Sequence, residues 1–548
     1  MADKILRQNQ VVVPFNIKQK ILKGEKTWNP YNKAHREYKG NIGNIILDMF
    51  ESNPNFIGQE DAETGIQNTF QQMKERSLKC ALEMKKLKIR RNDVIMICSH
   101  NQLDACIPFL ASLYLGAVVN PLDEHFFKGN SVYYLEQSKP KMIFIDEKYS
   151  TIIHSIYETS HKNLPQIIFF NADQDSSLSL KSIINKSYDP SEIENFRCSM
   201  VETKETAMKL FTPGTTALPK NVDIPCSAFM GLDQYELDWH LNDVALWFDS
   251  LGFINGAFMT IQAILLNVKV IKIKSNFDTK TLCQLIELYK VTWMFLETSM
   301  CIQLIKSNNL TKYDVSSLRT IVYSGSTLNS KFIDEDLKLL LPKTIIIQAY
   351  SLTETGIIAC QRQNRLIDNG SNGNVNKNVR LKIVSLKNGK SLGPYEEGEI
   401  YCQSPFMMIR QNNEPITCDG KNSNWFRTGD MGYYDSNNEI YITDRINQMF
   451  DKTHTISPAY IESFLQDCLG VSEAVIIPVP CNPNHAIAFV TPTKKITEKK
   501  LKQSIVNDLR DKFKLCADVI FLSQFPRIPN GKIHRKLLHD WAQTNICA

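Results

Sequence analysis

The stretch Thr212-Pro213-Gly214-Thr215-Thr216-Ala217-Leu218-Pro219-Lys220 decides how the chain is read. It follows Met208, Leu210 and Phe211, an apolar step that predicts the end of a strand. A glycine lets the backbone turn sharply and bring N–H groups close to an anion. The hydroxyls of Thr212, Thr215 and Thr216 add donors, and Lys220 adds a charge that can reach a phosphate. It is not a Walker loop, because Pro219 stands where that motif needs a glycine before the lysine. Taken alone, the loop reads as well as a polar surface turn as it does as a phosphate holder.

The rest of the chain sets the bounds. At 548 residues it is too long for one ordinary core, which predicts two or more domains. With 43% hydrophobic and 22% charged residues the composition is that of a globular protein. A net charge of +5 over this length argues against a dedicated nucleic-acid or membrane-surface protein. The 14 cysteines contain no CxxC pair, which argues against a zinc site and a disulfide framework. Reduced, buried thiols in an intracellular protein are the expectation. Ala105 to Leu122 and Ser250 to Val268 are uncharged. Pro108, Asn120 and Pro121 interrupt the first, and Asn255, Thr260, Gln262 and Asn267 the second, so both read as buried segments rather than membrane spans. The first ten residues hold no signal-peptide run, and the chain ends Asn545-Ile546-Cys547-Ala548 rather than in the Ser-Lys-Leu peroxisomal address. A cytoplasmic location is expected.

Periodicity predicts alternating strands and helices from Gly43 to about Ala359. Helices are expected over Thr69 to Leu87 and Cys106 to Val119, and strands over Val94 to Ile97, Val244 to Phe248, Trp293 to Leu296 and Thr320 to Tyr323. This rhythm predicts α/β architecture, with parallel sheets covered on both faces. From 361 to 420 short alternating runs such as Val379 to Val384 predict an antiparallel β unit. After Asp444 a Lys-rich segment with its own strands and helix is long enough for a small α+β domain.

Four further stretches carry chemistry. Tyr350 to Glu354 (YSLTE) could stack on a base, donate to a phosphate through Thr353 and hold a divalent cation through Glu354; it could equally start a helix. Tyr323 to Ser326 (YSGS) permits close backbone approach at Gly325, or is an ordinary βα turn. Trp425 to Asp430 (WFRTGD) places a carboxylate after a Thr-Gly turn, suited to a ribose diol or merely a turn aspartate. Pro526 to Lys532 (PRIPNGK) presents one lysine near the end of the chain, or a solvated basic tail.

Together and in this order, these stretches resemble the motifs of the adenylate-forming superfamily of acyl-CoA synthetases, peptide-synthetase adenylation domains and beetle luciferases. Asp444 and Arg445 match that family's hinge, and Lys312 to Leu318 (KYDVSSL) is similar to the luciferase and 4-coumarate–CoA ligase branch. The resemblance runs over roughly residues 40 to 540. It implies a large N-terminal domain, residues 1–443, of βα subdomains plus a small β-barrel, and a small mobile lid, residues 444–548. It implies activation of a small-molecule carboxylic acid, a medium- or long-chain fatty acid being favoured, with ATP and Mg²⁺, followed by thioester formation with coenzyme A. A monomer is expected.

By the same match, Lys532 bridges the α-phosphate and the carboxylate, and Thr353 contacts the α-phosphate. Thr212, Gly214, Thr215, Thr216 and Lys220 hold the outer phosphates; Glu354 binds Mg²⁺. Gly325, Ser326 and Tyr350 flank adenine, Asp430 takes the ribose hydroxyls with Arg445, and Asp444 is the hinge. Leu251, Phe253 and Tyr323 line the acyl pocket, Leu251 standing about where the luciferase branch has a histidine. The chain departs from the pattern at Pro213, Ala217, Asn221 and Ser351, and most of all at Asp451 to Ser457, where the glycine and lysine that serve thioester formation are displaced. An adenylating enzyme with an impaired second step, a non-catalytic acyl or nucleotide binder, and a luciferase-type monooxygenase are therefore the alternatives.

Overall fold

The computed structural model describes residues 22–23, 41–160, 163–170, 178–212, 219–229, 237–275, 277–325, 330–361, 370–377, 379–404, 407–412, 414–415, 425–446, 458–467, 470–479, 482–492, 498–513, 516–527 and 532–546. Among them stand an eight-stranded, a nine-stranded, a five-stranded and a three-stranded sheet.

The eight-stranded sheet is parallel at its centre. Its strand β1 (Val118–Leu122) lies between Val94–Cys98 and β2 (Thr206–Thr212), parallel to both. The helix expected over Cys106 to Val119 stops earlier, at Leu115. Gly116 takes a left-handed φ of 63° there, and Ala117 N–H returns to Ser112 O at 3.0 Å. That closes the helix and frees the β-branched Val118 and Val119 to enter the sheet. Helix α1 (Glu124–Ser138) follows, capped by the Asp123 carboxylate on His125 N–H. Strand β3 (Lys220–Pro225) returns antiparallel to β2, with Thr212 opposite Lys220.

The nine-stranded sheet carries β4 (Val244–Leu246), which leads into helix α2 (Ile254–Leu265). Strands β5 (Trp293–Glu297), β6 (Thr320–Ser324) and β7 (Ile345–Leu352) then stack side by side in parallel with β4. Their carboxyl ends therefore share one edge. Trp293 lies stacked on Trp239 with ring centroids 3.7 Å apart. The βα rhythm breaks at β7: β8 (Gly356–Cys360) folds straight back antiparallel to it. The YSLTE segment is thus a hairpin turn and not a helix start.

The antiparallel unit expected after residue 361 is the five-stranded sheet, ending in β9 (Phe426–Tyr434) and β10 (Ile440–Arg445). Asp430 lies within β9 rather than after a turn, paired with Arg445 of β10. The three-stranded sheet joins Val471–Val479, Asn482–Pro492 and Cys516–Phe521. Its two buried apolar clusters, around Val490 and around Phe489, draw only on residues from Ile461 onward.

Candidate nucleotide and acid site

The site is built where strand ends from two sheets face a lysine from the C-terminal segment. Thr212 ends β2 and Lys220 opens β3, so both flank the loop that began the sequence reading. Gly214, Thr215 and Thr216 lie outside the described residues, as do Ser326 and the segment 451–457. At the hairpin base, Asn221 N–H donates to Asn412 Oδ1 at 3.0 Å, and Asn412 N–H returns to Asn221 O at 2.7 Å. The Asn221 side chain is buried, and among the described residues its amide atoms find no hydrogen-bond partner.

The residues expected around the nucleotide form a tight polar knot. Tyr350 Oη donates to Asp430 Oδ2 at 2.6 Å, and Arg445 Nε donates to Asp430 Oδ1 at 2.8 Å. The Asp430 N–H is held by Thr428 Oγ1 at 3.0 Å. Burial raises the Asp430 carboxyl pKa, and the Arg445 guanidinium and Tyr350 hydroxyl partly offset that. Burial, then the neighbouring Asp430 charge, keeps the Tyr350 hydroxyl protonated. A carboxylate has about four acceptor positions, so Asp430 retains capacity for a diol. Glu354 sits in the β7–β8 turn, half-buried, its backbone O accepting from Met408 N–H at 2.8 Å. Burial raises its pKa, while Arg445 and Lys220 pull it back. A single carboxylate set among phosphate-directed cations is the donor set Mg²⁺ uses beside a nucleotide, so the residue fits that ion. Thr353 stands beside it in the same turn.

Gly325 closes the edge after β6 at φ 115°. A Cβ there would stand 1.6 Å from Glu297 Oε2 and 2.8 Å from Lys532 Cε. Only glycine fits, and the space it leaves is shared by the Glu297 carboxylate and the Lys532 stem. Lys532 Nζ is 3.3 Å from Glu297 Oε1. The lysine from the last stretch of the chain thus meets the carboxyl ends of the parallel strands.

Beside this junction opens a cavity of about 510 Å³, part of it open to solvent. Trp239, Phe258, Phe295 and Val322 supply apolar walls; Asn255, Ser324 and Ser351 supply polar ones. Leu251, Phe253 and Tyr323, expected to line an acyl pocket, are not among the residues that line this cavity. Tyr323 alternates with its strand neighbours: Val322 and Ser324 face the cavity, while Tyr323 turns to the opposite core and bonds Asp334 Oδ1 at 2.9 Å. Leu251 packs into the core of the first sheet, and the Phe253 ring lies 5.9 Å from Phe126. The polar residue after β4 is Asp249, buried and two positions before Leu251. Asp249 and Glu297 were both missed. The available signal was an acidic residue at the carboxyl end of an apolar strand, where parallel sheets place ligands.

Among the described residues, His100, Asp123 and His125 form a group of three metal-ligand side chains with donor atoms within 4.8 Å of one another. Hydrogen bonding and ion pairing already engage it: His125 Nδ1 is 3.0 Å from Asp123 Oδ1, and His100 Nε2 is 2.8 Å from Glu124 Oε2.

Residues 51–410 match the family described as AMP-binding enzyme. The chain belongs to this family, an enzyme family of the adenylate-forming superfamily. Its relatives include CoA ligases and luciferases. It is 27% identical to luciferin 4-monooxygenase of Photuris pensylvanica over 88% of this chain and 91% of that one. It is 26% identical to 4-coumarate–CoA ligase CCL1 of Humulus lupulus over 90% of this chain and 91% of that one. The luciferase-like enzyme of the nonluminescent mealworm Zophobas morio superposes with a TM-score of 0.70 at 27% identity, over 78% of this chain and all of that one. The fold is also that of ATP-bound MatB from Rhodopseudomonas palustris, at TM-score 0.80, 19% identity, and 93% and 100% coverage. Among the described residues no helix is long and apolar enough to cross a membrane.

Proposed function

We propose that the chain activates a carboxylic acid with an apolar body, using ATP, and passes the acyl group to the thiol of coenzyme A. What supports this is that Tyr350 and Glu354 gather with Asp430 and Arg445, while Lys532 reaches Glu297 and Gly325 at the carboxyl ends of the parallel strands β5 and β6. The acid carboxylate oxygen attacks the α-phosphorus of ATP; the bond to the β-phosphate breaks and pyrophosphate leaves. Negative charge gathers on the α-phosphate, where preorganised donors and cations act most strongly. Lys532 supplies that cation, and Thr353 a hydroxyl. Lys220, with the hydroxyls of Thr212, Thr215 and Thr216 and the backbone at Gly214, holds the outer phosphates. Gly325, Ser326 and Tyr350 border the base, and Asp430, steadied by Arg445, takes the ribose. Glu354 would hold Mg²⁺, which would supply charge neutralisation at the phosphates. In the second step the thiol sulfur attacks the acyl carbonyl, loses its proton and displaces AMP.

Residues 1–443 form the adenylating body in this reading, and 444–548 a lid that turns about Asp444. The cavity walls suit an apolar acid of medium-chain size. We place the protein in the cytoplasm as a monomer. The test is ATP–pyrophosphate exchange across a panel of acids, followed by single-turnover thioester formation. Exchange without thioester leaves an adenylating enzyme whose altered 451–457 segment has lost the second step. No exchange with any acid removes the adenylation reading.

A further inference from the structure

We infer that His100, Asp123 and His125 hold a divalent transition metal of the Zn²⁺ kind, in a site that shares no residue with the nucleotide and acid groups above. The inference stands independently of the adenylation reading.

Local folding brings the three side chains together. Val94–Cys98 and β1 run parallel with Cys98 opposite Leu122, so the residues that follow both strands emerge at one carboxyl edge. His100 comes two positions after Cys98, and Asp123 directly after Leu122. Parallel sheets place ligands at that edge. Asp123 caps helix α1, its Oδ1 accepting the His125 N–H at 3.1 Å. The cap holds the carboxylate beside the His125 ring, whose Nδ1 is 3.0 Å from the same oxygen. The His100 and His125 rings lie with centroids 4.7 Å apart.

The His100 ring is oriented from behind. Its Nε2 is 2.8 Å from Glu124 Oε2, and Glu124 is in turn held by Tyr149 Oη at 2.7 Å and by Lys148. That contact keeps a proton on Nε2 and turns Nδ1 toward Asp123 Oδ1, 3.9 Å away. The gap is too long for a hydrogen bond. With His100 neutral, it sets a nitrogen lone pair against a carboxylate oxygen, an arrangement that favours a cation between them. Donor atoms around tetrahedral Zn²⁺ stand about 3.3 Å apart, given bonds of about 2.0 Å. The spacings of 3.0 and 3.9 Å bracket that value. Two imidazoles and one carboxylate are a donor set of Zn²⁺ sites that keep an open position. A carboxylate behind a ligating histidine is the common outer partner, and Glu124 stands there. The metal replaces the proton shared by His125 Nδ1 and Asp123, and that proton leaves to solvent. Asp123 is buried, His100 half-buried and His125 exposed, so the metal has a route in from solvent.

The experiment strips the untagged full-length protein with a chelator. Zn²⁺ is then titrated by calorimetry and Co²⁺ by visible absorption, both without nucleotide. One Zn²⁺ per chain is expected, and Co²⁺ is expected to show the d–d bands of a tetrahedral nitrogen and oxygen set with no sulfur charge-transfer band. His100→Ala and His125→Ala are each expected to weaken Zn²⁺ binding by more than about 100-fold, and Glu124→Gln by about 10- to 100-fold, the cost of losing an outer partner. Added Zn²⁺ is expected to raise the melting midpoint of the wild type and not that of His125→Ala. A wild type that binds no Zn²⁺, a Co²⁺ spectrum with sulfur ligation, or an affinity unchanged in both histidine variants overturns the inference and leaves His100 as an ion-pair partner of Glu124. The wild-type stoichiometry and spectrum decide the matter even where a variant fails to fold.

Discussion

The proposed nucleotide end and the proposed acid end of this site are made differently. At the nucleotide end, Tyr350, Glu354, Asp430 and Arg445 come from short runs whose neighbours in sequence are neighbours in space, and the knot is closed by bonds of 2.6 and 2.8 Å. At the acid end, Asp249 follows the end of β4, and Glu297 and Ser324 pair across β5 and β6, three segments far apart in the chain that the sheet brings to one edge. One end is written in motifs; the other is assembled by the sheet. The first end can therefore be shared across a family while the second is altered residue by residue.

Lys532 joins the two ends, and its removal has the largest expected effect. Lys532→Ala deletes the cation proposed to act at the α-phosphate, and pyrophosphate exchange is expected to fall about 10²- to 10³-fold. A variant exchanging at the wild-type rate would falsify the junction and separate the ends into unrelated features. Gly325→Ala comes next. The added methyl group meets Glu297 Oε2 and the Lys532 stem on a backbone at φ 115°. Exchange is expected to fall about 10²-fold through misplacement of Lys532, since small displacements of reacting groups carry penalties of that size. Near-normal exchange in this variant would mean that the junction has slack the geometry denies.

How much of this was legible in the chain follows the same division. The βα order, the antiparallel unit and the small C-terminal unit could be read, because period-2 and period-3.6 patterns are local. Asp430 and Arg445 were readable as a pair of motifs, but not that β9 and β10 set them opposite each other. Helix 106–115 was overextended because its apolar run continues unbroken into β1. Only Gly116, with its left-handed φ, marks the boundary. For Tyr323 strand phase is what the sequence does not carry: YSGS locates the edge, yet which side chains face the cavity depends on the sheet they enter. Asp249 and Glu297 sit alone at the ends of apolar runs and acquire meaning only from each other.

A stability measurement sharpens the contrast from the acid end. Burial, with the charge of Glu297 added, holds the Asp249 carboxyl well above its ordinary 3.8, and Lys532 offsets part of that. The folded chain therefore keeps this proton over a range where the unfolded chain releases it. The corresponding stability is fully present below pH 3.8 and is lost as pH rises through the raised folded value. Asparagine does not titrate. Asp249→Asn is thus expected to gain on wild type in urea unfolding as pH rises above 3.8. A gap that stays constant with pH, or closes in the other direction, would show that Asp249 is ionised and compensated in the folded chain.

The smallest effect is expected at Tyr350, and its size distinguishes a rigid knot from a loose one. Tyr350→Phe keeps the ring and deletes the hydroxyl that donates to Asp430 Oδ2. Arg445 still holds Oδ1, so Asp430 remains roughly in place. The loss is then one hydrogen bond to a carboxylate that nucleotide hydroxyls can partly replace, worth about 1 kcal/mol. That corresponds to about a fivefold rise in the KM for ATP with kcat nearly unchanged, because the ribose is held alike in ground and transition states. A fall in kcat at constant KM would instead mean that the hydroxyl acts on the reacting phosphate, and that the nucleotide end reaches further toward Lys532 than its hydrogen bonds indicate.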